Sequence, residues 1–333
     1  MANRTEISPS TKWRVEQLTF GGERVSHLYP NDCYYAHLSI YYFASQFTQG
    51  KRVLDAGSGA GYGSAYLAEH GADFVQALDI SEQGVAFSRH CFQRPNLNYR
   101  VMDLQGISGF PDHRFDVIFS SNALEHVPNV QAFFQSAWRL ASADGVLIIG
   151  VPPVVNEASR DANLANPYHL NIWSPRQWQH VLASYFKNVQ PYRHSFERQD
   201  VKLDFNRTPE QTRINEQDFR FDEIPLERFY QEETLTVIFV ARRPRPESEL
   251  PRVNEPILFV DDSFTRPLVL ADEMKDGIEN LSVPVPSHPS AGQLVNRAIA
   301  IIRQQGVSSL VRRAVAYCRR ARAFEVAHRL ARR

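Results

Sequence analysis

Short apolar runs alternate with amphipathic stretches through the middle of the chain, and that alternation predicts the fold. Residues 51–56, 74–80, 97–102, 115–120 and 145–151 read as strands. Four of the five are near-continuous apolar runs, as expected of strands covered on both faces. Between them, residues 63–69, 81–91 and 130–140 carry helical patterning, with Ser81 placed to cap the second of these helices. A helix over 33–47 precedes the first strand. Strands alternating with helices mean parallel strands joined by crossover helices. Downstream, Ser174 and Pro175 open a helix over 176–184, and residues 188–192 and 234–241 give a sixth and a seventh strand. The expectation is an α/β, doubly wound, seven-stranded and mostly parallel sheet. Residues 194–233 are polar and charged and read as an insertion over the strand ends.

The run V-L-D-A-G-S-G-A-G-Y-G at 53–63 ends the first strand in an acid and sets glycines at alternate positions before a helix. Such a turn admits a ligand close to the bare main chain and offers it the N–H groups of a helix start. This predicts a nucleotide-like cofactor. A dinucleotide fingerprint, G-x-G-x-x-G, is absent: counted from Gly57 its last glycine falls on Tyr62, and counted from Gly59 it falls on Ser64. A P-loop is absent too, because no Gly-Lys-Ser/Thr follows.

Four motifs, in order, resemble those of the class I S-adenosylmethionine-dependent methyltransferases. They are the glycine run at 53–63, A-L-D-I-S at 77–81, V-M-D-L at 101–104 and F-D-V-I-F-S-S-N-A-L-E-H-V at 115–127. The resemblance covers about residues 22–242 and implies a Rossmann-like methyltransferase fold with S-adenosyl-L-methionine as cofactor. It implies a cofactor site of Asp55, Gly57, Ser58, Gly59, Gly61, Asp79, Ile80, Asp103, Leu104, Asn122 and Ala123. Asp79 would take both ribose hydroxyls or merely cap the next helix. Asp103 would meet the adenine amino group or be a loop acid. Asn122 and Ala123 would line the methionine moiety. Asp55 would reach the methionine amino group or only orient the turn. Acids at three strand ends would line a crevice suited to a sulfonium and an ammonium and hostile to a pyrophosphate.

A hydroxyl acceptor gains from a base, and histidine is the usual one near neutral pH. His126, in L-E-H-V-P, and His169, in a segment resembling the family's H-x-x-x-[FW]-S-P loop, are the candidates, with Glu125 beside them. The blander readings are a packing histidine and an acid that bonds backbone N–H groups. The three could instead hold a divalent ion, but their spacing does not compel one and no metal is assigned. Tyr29, Tyr34 and Tyr35 could close over the cofactor or stack on a sugar, although packing is the commoner role of such residues.

Residues 21–25, 37–44 and 49–52 resemble bacterial methyltransferases of surface-glycan assembly. That likeness implies O-methylation of a sugar hydroxyl in glycan or polysaccharide biosynthesis. The alternatives are a quinone-like small-molecule O-methyltransferase and a catalytically inactive methyltransferase-fold interaction module. A nicotinamide oxidoreductase is disfavoured by the glycine spacing.

Composition adds a division of the chain. The 333 residues have a formal net charge of zero, yet residues 291–333 hold ten arginines and a single acid, Glu325. The rest is mildly acidic, which argues against nucleic acid as partner of the body. The reading is an N-terminal extension at 1–21, a domain at 22–242, a Pro-rich linker at 243–290 and a basic amphipathic helical tail at 291–333. The tail suits an anionic membrane surface or a protein contact. Cys33, Cys91 and Cys318 are isolated, and no run is long and apolar enough to span a bilayer. The expected location is the cytoplasm, with a peripheral station at the inner face of the membrane.

Overall fold

The computed structural model describes residues 24–251, apart from residue 167. The N-terminal extension, the tail and the linker beyond residue 251 lie outside the described residues. Strands β1 (Arg52–Ala56), β2 (Phe74–Asp79), β3 (Leu97–Val101), β4 (Phe115–Ser121), β5 (Ala141–Val151), β6 (Phe186–Phe196), β7 (Phe219–Glu223) and β8 (Thr236–Pro244) form one sheet. Their order is β3-β2-β1-β4-β5-β8-β6-β7. The first five in that order are mutually parallel. Strand β8 runs antiparallel to both β5 and β6, and β7 antiparallel to β6.

Six helices accompany the sheet among the described residues: α1 (Asp32–Ser45), α2 (Tyr62–Glu69), α3 (Glu82–Cys91), α4 (Val130–Leu140), α5 (Glu157–Ala165) and α6 (Pro175–Tyr185). Successive strand residues point to opposite faces, so the apolar runs feed two cores. Leu54, Ile118, Leu147 and Phe239 pack with Phe133, Phe134, Trp178 and Leu182 of α4 and α6. Val53, Val117, Ile148 and Val240 pack with Ile40, Phe43 and Leu67 of α1 and α2. The expected start of α6 is present: Ser174 and Gln177 form a reciprocal cap, with Pro175 as the first helical residue.

The sheet has eight strands rather than seven. The extra one, β7, arises inside the 194–233 segment, where Phe219 and Phe221 alternate with charged residues. Phe221 stacks on Phe43 at 4.6 Å and on His194 at 4.7 Å, which fixes the strand beside β6. Another part of the insertion is tied to the start of α1. The fully buried Asp32 carboxylate accepts from Asp204 N (3.0 Å), Arg207 Nη1 (2.9 Å) and Thr212 Oγ1 (3.1 Å). Helix α5 was not anticipated; it buries no residue, so it leaves no apolar period to read.

The strand order reverses between β1 and β4. Their following loops diverge there, and a crevice opens beyond the carboxyl ends of the strands.

Candidate active site

A cleft of about 700 Å³ lies at that point, lined by the glycine turn, the ends of β2 and β4, and the loops after β3, β4 and β5. The turn after β1 holds Gly57 at φ +92° and Gly59 at φ +58°, both in the left-handed region that favours glycine. A Cβ on Gly57 would lie 2.5 Å from Ala123 Cβ, so the turn and the loop after β4 touch through a missing side chain. A Cβ on Gly59 would meet nothing. There the backbone faces open space.

Asp79 ends β2 with its carboxylate nearly buried. It accepts from Gly59 N (2.9 Å), Ser81 N (2.9 Å) and Arg24 Nη2 (2.9 Å). Ser81, not Asp79, caps α3 by accepting from Gly84 N. A carboxylate offers about four lone-pair positions, so acceptor capacity remains for a ligand hydroxyl. Asp103 lies exposed on the cleft wall and accepts from the Gln105 main chain and amide (2.9 and 3.0 Å). Ile80 stands beside Asp79 at 65% exposure, an apolar surface next to the buried Leu104, and both line the cleft. Ser58 also lines it, and its buried hydroxyl has no hydrogen-bond partner among the described residues. Open glycine backbone, an acid, a bare aliphatic wall and an orphaned hydroxyl together fit an adenosine carrying an amino-acid arm.

Asp55 does not line the cleft. It is fully buried behind the turn, where Ser64 Oγ donates at 2.5 Å and the Tyr41 hydroxyl at 3.4 Å. Burial, opposed by those two hydrogen bonds, pushes its carboxyl up to about 7. Of the three strand-end acids only Asp79 and Asp103 line the cleft, with Glu125 farther along. Gly61 likewise is set back from the lining: it caps α2 at φ +81°, beside Ser88 and Tyr99.

At the other end, Asn122 follows β4 in the left-handed region (φ +48°), a conformation asparagine tolerates better than most residues. Its Nδ2 reaches Ser121 Oγ at 3.1 Å and His37 Nδ1 at 3.4 Å. The structure brings Glu125, His126 and His169 together, as three residues from two separate loops. Leu170 N and Asn171 N donate to the Glu125 carbonyl (2.7 and 3.0 Å). The buried Asn171 amide bridges the carbonyls of Leu124 and Val127, each at 2.7 Å. The His126 and His169 rings meet edge to face, with centroids 5.0 Å apart, and His126 Nε2 lies 3.9 Å from the buried Glu125 carboxylate.

Arg24 and His37 were missed as site residues. Both belong to the segment and helix ahead of β1, and only folding carries them to the strand ends. None of Tyr29, Tyr34 and Tyr35 lines the cleft. Tyr34 packs against Tyr35 and Tyr62 (5.2 and 4.9 Å), and Tyr29 is exposed.

Residues 54–149 match the methyltransferase domain family. The methyl donor implied by the domain is S-adenosyl-L-methionine. Among similar proteins, a ubiquinone biosynthesis O-methyltransferase of Neisseria meningitidis is 32% identical over 101 residues, 29% of this chain and 42% of that protein. One from Coxiella burnetii is 38% identical over 109 residues, 32% of this chain and 46% of that protein. A demethylmenaquinone methyltransferase of Tropheryma whipplei is 34% identical over 103 residues, 31% and 42% of the two chains. The chain thus spans less than half the length of these relatives. A solved S-adenosylmethionine-dependent methyltransferase from Mesorhizobium loti is 19% identical, with a TM-score of 0.45 over 62% of this chain and 98% of that one. These relatives carry quinone names; a glycan acceptor finds no counterpart in them. No described helix is long and apolar enough to cross a membrane.

Proposed function

We propose that the chain is an S-adenosylmethionine-dependent O-methyltransferase whose acceptor is a small phenolic or quinol-type hydroxyl compound. The observation that carries this reading is the union, in one cleft, of the glycine turn and Asp79 at one end with Glu125, His126 and His169 at the other. The quinone names of the relatives favour a quinol acceptor over a sugar hydroxyl.

Each residue has a task in this reading. The Asp79 carboxylate accepts from the ribose hydroxyls, with Arg24 alongside. Ile80 and Leu104 flank the adenine, and Asp103 accepts from its amino group. Gly57, Ser58, Asn122 and Ala123 border the methionine arm. When bound, the donor supplies an electrophilic methyl group on sulfonium sulfur. Glu125, His126 and His169 hold the acceptor oxygen in line and manage its proton, a contribution of about 10²–10⁴ in rate for a positioned base.

Calorimetry with S-adenosylhomocysteine and with NAD, followed by methyl transfer to a catechol and to a free sugar, tests the proposal. Binding of S-adenosylhomocysteine alone and turnover of the catechol are expected. Absence of S-adenosylhomocysteine binding would overturn it, and transfer to the sugar alone would replace the acceptor. His126→Ala and His169→Ala should keep S-adenosylhomocysteine affinity and lose turnover.

A further inference from the structure

We infer that Arg24 is a specificity-determining residue for the donor: the two ribose hydroxyls are divided, one donating to Asp79 and the other accepting from Arg24. This rests on the reading of the cleft as a donor site and narrows the task of Asp79 there.

Asp79 has room for one hydroxyl, not two. Its Oδ1 accepts from Arg24 Nη2 and Ser81 N, and its Oδ2 accepts from Gly59 N, each at 2.9 Å. Three of the roughly four acceptor positions of a carboxylate are therefore occupied. Two of these donors are main-chain N–H groups that shape the glycine turn and the approach to α3, so a ligand does not displace them. The position left is on Oδ2.

The missing partner stands beside it. The Arg24 side chain lines the cleft, is only 9% exposed, and has its Nη1 buried without a hydrogen-bond partner among the described residues. Buried polar groups are rarely left so in folded proteins. The guanidinium is a rigid planar fork, so seating Nη2 on Oδ1 also fixes where Nη1 stands. A hydroxyl oxygen accepts as well as donates. A vicinal diol thus matches an acid with one free lone pair next to a cation with one free N–H group.

The surroundings hold the guanidinium in place. A Cβ on Gly84 would lie 2.9 Å from Nη1 and 3.2 Å from the Gly59 carbonyl oxygen. The bare first turn of α3 therefore makes the room for Nη1, alongside the open backbone of Gly59. Just beyond Arg24 the chain is pinned to the same helix: the His27 ring packs on Phe87 and Phe92, with centroids 5.9 and 4.7 Å apart. Tyr29 N closes a turn on the Ser26 carbonyl at 3.0 Å. Arg24 meets the ribose preorganised, which spares the cost of ordering a long side chain on binding.

Calorimetry of the full-length protein with S-adenosylhomocysteine and with its 2′-deoxy and 3′-deoxy analogues tests the division. The wild type should bind the parent compound at least about tenfold tighter than either analogue, the usual scale of a hydrogen bond to a charged group. Arg24→Met should weaken the parent about tenfold and one analogue as much. It should leave the other analogue within about twofold of its wild-type affinity, because the arginine and the hydroxyl missing from that analogue act as one coupled pair. Affinity retained for that analogue also shows the variant to be folded. Arg24→Lys, which keeps the charge and loses the fork, should give the same selective pattern. Equal losses for all three compounds, or no loss for the parent, overturn the assignment and leave the donor reading in place. A wild type that binds none of the three removes the donor reading and this assignment with it.

Discussion

Arg24 Nη2 lies 2.9 Å from Asp79 Oδ1, so the acid assigned to the cofactor ribose is already joined to a cation from the segment ahead of α1. Both side chains are only 9% exposed. Arg24 Nη1 is buried without a hydrogen-bond partner among the described residues. An unsatisfied buried donor costs about 1–3 kcal/mol, and a ligand oxygen beside Asp79 would relieve that cost. On the proposed reading, Arg24 would assist the ribose instead of competing with it. Arg24→Met should weaken S-adenosylhomocysteine about tenfold in calorimetry, and Asp79→Ala more than that. Tighter binding by Arg24→Met would mark the arginine as a competitor.

Asp55 makes stability depend on pH across the acidic range. Its carboxyl, raised by burial to about 7, holds its proton above the range of an unfolded aspartate. The folded state therefore binds more protons between about 4 and 7, and the stability this group contributes is full below that window and lost as pH rises through it. Asp55→Asn should be free of this loss. Thermal melts of the two proteins at intervals from pH 4 to 8 should show the variant gaining on the wild type up to about pH 7, then running level. A constant difference would remove the assignment.

His194 acts in the opposite sense. It is fully buried, takes a hydrogen bond with Ser39 Oγ at 3.0 Å and lies flat on Phe221. Burial, aided by His37, lowers its imidazole to about 3. The unfolded chain binds the extra proton below about 6.5, so stability falls as pH drops from there towards 3. His194→Phe keeps the ring stack and deletes the titration. Its melting temperature should decline less than the wild type's between pH 7 and 5, and equal declines would refute the linkage.

Asn171 couples the two loops of the acceptor end through its bonds to Leu124 and Val127. Asn171→Ala leaves two carbonyls short of a donor, at roughly 1–3 kcal/mol for a buried group. S-adenosylhomocysteine affinity should stay within about twofold while turnover falls at least tenfold, since binding and positioning sit at opposite ends of the cleft. An equal loss of both would place Asn171 in general folding instead.

Much of the frame was legible because β1, β2, β4 and β5 are buried on both faces and so carry unbroken apolar runs. Strand β7 was not, because F-R-F-D-E buries only Phe219 and lies within a charged stretch. Helix α5 was hidden because no residue of it is buried. In the cleft, residues at strand ends were readable: Asp79 ends β2 and Asn122 directly follows β4. Arg24 and His37 carry no comparable local signal. Asp55 shows the limit in the other direction, for an acid at a strand end can be drawn away from the cleft when Ser64 near the start of α2 and Tyr41 of α1 claim it.

Strand β7 also has a bearing on how the molecule behaves in a crowded solution. It forms the outer margin of the sheet beyond β6, and it carries Arg220, Asp222 and Glu223, with Arg220 paired to Glu197 and Asp222. Charged side chains on a short terminal ribbon discourage another chain from adding a strand. Among the described residues, the insertion thus gives that margin of the sheet a charged border ill suited to recruiting a neighbouring strand.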